Sequence, residues 1–83
     1  MQSCYRNRID IITSILNIAN GNAVKQLDIL TKSKITHGLF REYLLLILQF
    51  GLIEDIRRQG TYKTTEKGIH FLDVCDKMKD LIQ

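Results

Sequence analysis

Residues 51–68 read GLIEDIRRQGTYKTTEKG. A short apolar opening, Leu52-Ile53, runs into Arg57 and Arg58 and a Gln59-Gly60 tip. A threonine-rich return follows, then Thr65-Glu66-Lys67. The segments 52–57 and 61–64 are rich in residues that suit a pleated, half-buried surface. Between them, Arg58-Gln59-Gly60 is a short loop whose glycine can take a positive φ. The pattern predicts a β-hairpin. Thr65 then offers its hydroxyl to the free amides of a helix that starts at Glu66. A lone pair of strands is marginal in water, so this hairpin must pack on helices.

Upstream, residues 37–50 read as a helix with Thr36 as its N-cap and Gly51 at its end. Phe40, Tyr43, Leu44, Ile47 and Leu48 recur at helical spacing and form its inward face. Residues 25–32 read as a shorter helix with Leu27, Ile29 and Leu30 as apolar positions, and Ser33-Lys34-Ile35 as a tight connection. Residues 5–19 form a first helix, stopped by Asn20-Gly21. It carries one apolar stripe of Ile9, Ile12, Leu16 and Ala19 and a second of Ile11, Ile15 and Ile18. The last helix, 66–82, carries Ile69, Phe71, Leu72, Cys75, Met78 and Ile82. The order is α-α-α-β-β-α. The chain is therefore mainly α with a small β-hairpin, a winged helix-turn-helix expected to be a single domain over residues 1–83.

Composition narrows the function. With 83 residues, 45% of them hydrophobic, the chain can bury a core and is not disordered. A core this small is marginal, which favours association with another chain. Two cysteines, with no CxxC and no Cys–His cluster, argue against a zinc module; no metal or other cofactor is expected. No apolar run approaches the roughly 20 residues that cross a membrane, and the opening residues lack a signal-peptide pattern. The expectation is a soluble, cytoplasmic protein. A net charge of +3 suits a nucleic-acid partner. His37 and His70 are too far apart in sequence and context to suggest a site, and no nucleophile–base constellation or phosphate-binding glycine loop is present, so no enzyme is expected.

The stretch THGLFREYLLLILQFGLIED, followed by YKTTEKGIHFL, resembles the archaeal winged-helix transcription regulators. The matching positions are Tyr43, Leu44, Ile47, Gly51, Leu52 and Ile53, then Tyr62, Thr65, Glu66, Lys67, Gly68, Phe71 and Leu72. The resemblance covers about residues 8–75 and rests mostly on core and cap positions. It implies a DNA-binding protein, either a regulator or a chromatin-associated type that dimerises through its last helix. Two positions depart from the pattern. Thr64 stands where that group usually has leucine, so a weak grip of the hairpin on the core is expected. Gly38 and Leu39 fall where long polar residues are common, which leaves fewer donors for reading bases.

A recognition helix enters the major groove with its N-terminal residues toward the bases. That nominates Lys34, Thr36, His37, Gly38 and Arg41, with Arg41 suited to a guanine and Leu39 to a thymine methyl. The hairpin nominates Arg57, Arg58 and Lys63 for the backbone or a minor groove. Lys25 and Lys32, placed on the second helix, are expected to meet phosphates. Double-stranded DNA is the expected partner.

A homodimer is also expected. The second half of the last helix offers Cys75, Met78, Leu81 and Ile82, and the first helix offers Ile11, Ile15 and Ile18. The opposing arrangement folds the last helix back onto the first helix of its own chain, where Cys75 and Cys4 could meet. A second function class remains: a winged-helix module that binds protein rather than DNA. Glu42, Glu54, Asp55, Leu39 and Leu45 near the supposed DNA face speak for it.

Overall fold

The computed structural model of the chain describes residues 8–56 and 60–82, without the side chains of residues 79 and 82. The elements run α1 (Arg8–Ile18), β1 (Val24–Lys25), α2 (Gln26–Ser33), α3 (His37–Gln49), β2 (Ile53–Ile56), β3 (Thr61–Thr64) and α4 (Glu66–Ile82). The expected helices and hairpin are present, and the fold is mainly helical with a small sheet. One element differs. A two-residue strand, β1, pairs with β3 and makes a three-stranded antiparallel sheet of order β1-β3-β2. Two residues have no readable period, and only the neighbouring hairpin makes them a strand.

The core joins α1, α2, α3 and the sheet. It contains Ile12, Leu16 and Ala19 from α1 and the segment after it, Ile29 from α2, Phe40, Tyr43, Leu44 and Ile47 from α3, and Ile53 and Tyr62 from the hairpin. Ile9 and Leu27, read as apolar stripe positions, are exposed instead. Both lie in the first turns of their helices, where fewer neighbours cover them.

The hairpin grips the core through polar bonds. Thr64 is 3% exposed, and its hydroxyl donates to the Leu16 carbonyl at 2.6 Å. Its backbone amide donates to the Ala19 carbonyl at 3.1 Å. Carbonyls at a helix end lack intrahelical partners. Thr64 therefore caps the end of α1 with both side chain and backbone, and the weak grip expected of a threonine here is overturned. Thr65 makes a second knot. Its hydroxyl accepts from the Gly68 amide at 3.1 Å, as the expected N-cap of α4, and donates to the Gly51 carbonyl at 2.6 Å.

The end of α3 explains Gly51. The Leu52 amide donates to the Ile47 carbonyl and the Gly51 amide to the Leu48 carbonyl, with Gly51 at φ +75. This paired closure needs a left-handed residue just past the helix, which glycine takes without strain. Gly68 is required for space. A Cβ there would press on the Leu52 carbonyl oxygen and come within 2.6 Å of Thr64 Cγ2.

Candidate nucleic-acid interface

The α2–α3 pair is held by its turn and by one side-chain bond. The Thr36 hydroxyl accepts from the Leu39 amide at 3.2 Å, as expected of the N-cap of α3. The Gln26 amide nitrogen donates to His37 Nε2 at 2.9 Å, which ties the first residue of α2 to the first residue of α3. Gln26 was not legible as a site residue, because the contact exists only after the turn closes. Lys34 ends α2 in the left-handed region, at φ 58.

The first turns of α3 face outward. Thr36, His37, Gly38, Arg41 and Glu42 are all exposed. Leu39 is half-buried, packed against the core at the flank of the helix. Leu45 is the exposed leucine of this face. Arg41 and Leu45 line one cleft with Gln26, Leu44, Leu48 and Tyr62, between α3 and the sheet.

The predicted cations divide. Lys25 lies in β1 rather than on the second helix, opposite Thr61 and exposed. It immediately precedes Gln26, and so adjoins the His37 end of α3. Lys32 is exposed in the last turn of α2, and Lys34 is exposed in the turn. Lys63 projects from the other face of the sheet than buried Tyr62, with Glu54 directly opposite on β2. The structure does not bring it beside Arg41. Arg57 and Arg58, at the hairpin tip, lie outside the described residues, as do Cys4 and Arg6.

Acidic groups interleave with the basic ones. Glu42 is exposed on α3 and Glu54 on β2. Asp55 sits opposite Tyr62, and its Oδ1 is buried with no hydrogen-bond partner among the described residues. Burial pushes the Tyr62 hydroxyl above its ordinary pKa, and the Asp55 carboxylate pushes the same way, while Arg41 pulls it down. Arg41, Tyr62 and Asp55 thus share one electrostatic neighbourhood. The strand register joins Asp55 to Tyr62, and the packing of α3 on the sheet brings Arg41 to the same cleft.

The residues read as a dimer surface divide too. Ile15 is 0% exposed and Ile11 and Cys75 are also buried, so all three belong to the packing of the single chain. Ile11 and Ile15 sit in the main core, and α1 packs against α2, α3, β3 and α4 of its own chain. Ile18 is half-buried against the core. Met78 and Leu81 are exposed, and the Ile82 side chain is outside the described residues. Phe71, Val74, Met78 and Leu81 follow one another at spacings of three and four along α4; Phe71 is half-buried and the other three are exposed.

Among the described residues, no group of three His, Cys, Asp or Glu side chains could hold a metal ion. Among them, too, no helix is long and apolar enough to cross a membrane. A family model described as winged helix-turn-helix matches residues 5–83. No curated protein matches the chain.

Proposed function

The chain belongs to the winged helix-turn-helix family, which supports a DNA-binding role in general, and we propose that it is a DNA-binding regulator of transcription. In this reading α3 enters the major groove and the β2–β3 hairpin meets the backbone or minor groove. The observation that carries it is the start of α3. His37, Gly38 and Arg41 stand exposed there, with exposed Lys25, Lys32 and Lys34 on α2 and its flanks. That arrangement suits base contact by α3 and phosphate contact around it. The site of action is then the nucleoid, in the cytoplasm.

The same proposal includes a homodimer through α4. Phe71, Val74, Met78 and Leu81 follow the three-four spacing by which two helices interlock. A two-fold pair would place two copies of α3 on half-sites about one helical turn apart, on a near-palindromic operator.

A second reading, a protein-docking module without DNA binding, is favoured by one observation. Glu42 and Leu45 share the outer face of α3, and Glu54 stands against Lys63.

The test is binding to random-sequence duplex DNA at two salt concentrations, with Arg41→Ala and the double variant Arg57→Ala/Arg58→Ala. The DNA reading expects affinity to fall steeply with salt and to fall again in both variants. Absence of binding at low salt, where non-specific attraction is strongest, leaves the docking reading in its place.

A further inference from the structure

The outer face of α3 holds an apolar side chain that the fold does not need. Phe40, Tyr43, Leu44 and Ile47 define the buried side of the helix. With about 3.6 residues per turn, the opposite direction falls on Gly38, Glu42, Leu45 and Gln49. All four are exposed, and Leu45 is 64% exposed. A leucine held in water this way gains free energy when something covers it.

The charges around it select the occupant. Glu42 puts one negative charge on the strip and Arg41 flanks it, while Lys25, Lys32 and Lys34 are exposed on α2 and its flanks. A polyanion held by those lysines would bring neutral groups, not phosphates, against the strip. Gly38 has no atom within 4 Å of the place a Cβ would take, so the first turn of α3 is slim enough for close approach. In the major groove the apolar group on a base edge is the C5-methyl of thymine. Arg41 lies four residues before Leu45 on the same cleft, about 6 Å along the helix axis. That separation is one to two base steps at about 3.4 Å each.

We infer that Leu45 is a specificity-determining residue that reads a thymine methyl, one or two steps from the base that Arg41 reads. The inference rests on the DNA-binding reading and deepens it.

The experiment selects a preferred duplex from a random pool with the full chain. Each thymine is then replaced singly by deoxyuracil, which removes only the methyl group. At least one replacement should weaken binding roughly fourfold, the worth of burying one methyl-sized group. In Leu45→Ala the same thymine-to-uracil ratio should collapse to about one, because the side chain that covers the methyl is gone. A thermal melt of that variant should match the parent, since the side chain is exposed. If the parent tolerates every replacement, or Leu45→Ala keeps the ratio, DNA binding stands and the role of Leu45 is overturned. If no duplex binds even at low salt, the DNA reading itself falls and takes this inference with it.

Discussion

On its inner side α3 carries Phe40, Tyr43, Leu44 and Ile47, all buried, while its outer side carries Gly38, Arg41, Glu42 and Leu45, all exposed. The inner residues contact α1, the sheet and one another, and they fix where the helix lies. The outer residues contribute little to that placement, so their identities are free to answer to a partner. An apolar residue on each side therefore means different things. Phe40 is accounted for by the core, and Leu45 is not.

Substitution to alanine on the two sides should give the largest contrast. Phe40→Ala empties a fully buried site and should cost about 3–5 kcal/mol of unfolding free energy. Leu45→Ala should change stability by no more than about 0.5 kcal/mol. Urea titration of both variants checks this. A similar loss in both would mean that the outer side of α3 is packed in solution, and the contrast would break.

Thr64→Val asks how firmly the hairpin is tied behind α3. The variant keeps the shape and removes the hydroxyl that serves the Leu16 carbonyl. A buried acceptor left without its donor costs about 1–3 kcal/mol. Hydrogen exchange should show the loss as faster opening at the end of α1 and in β3, with α3 less affected.

Much of this was legible in the sequence, for identifiable reasons. The helix caps at Thr36 and Thr65, the helix stop at Gly51 and the loop glycine at Gly60 are local chemistry, and the structure has them where the sequence places them. The core face of α3 follows from periodicity alone. What could not be read depends on distant partners. Thr64 looked like a weak point because it stands where the resembling regulators have leucine, and only the end of α1 supplies the acceptor for its hydroxyl. Lys25 looked helical because the two residues of β1 have no period of their own. Ile11 and Ile15 looked like partner surface because the elements that pack around α1 are a tertiary fact. For the interface, the residue types at the start of α3 were legible, while the Gln26–His37 bond and the meeting of Arg41, Tyr62 and Asp55 required the fold.

On the proposed DNA-binding reading, Lys34 sets stability against binding at the turn that leads into α3. Its φ of 58 is strained for any residue with a Cβ, by roughly 1–2 kcal/mol. Glycine would relieve that strain but would remove a cation. Lys34→Gly should therefore raise stability by about 1 kcal/mol while weakening DNA binding. The slope of log affinity against log salt should shrink by about 0.9, as for one lost phosphate contact. A more stable variant with unchanged DNA affinity would remove Lys34 from the interface.

The smallest expected effect lies where the buried Tyr62 meets the cleft of Arg41. Tyr62 has a raised pKa, first from burial and then from Asp55. Below the ordinary tyrosine value of about 10 the folded and unfolded chains both hold the proton. Above it the unfolded chain ionises while folded Tyr62 still holds its proton, so stability falls as pH rises toward the folded value. Tyr62→Phe removes this contribution, and the variant should lose less stability than the parent above about pH 10 in urea titrations. Tyrosinate absorbance in the folded protein divides the causes further, with Tyr62→Phe identifying which transition belongs to this residue. Asp55→Asn should lower the Tyr62 transition and Arg41→Ala should raise it, because the two charges act on it in opposite directions. If Arg41→Ala leaves the transition in place, the guanidinium is not held over the cleft in solution. Arg41 would then be as unconstrained as the rest of the outer side of α3, and a duplex would have to order it on binding.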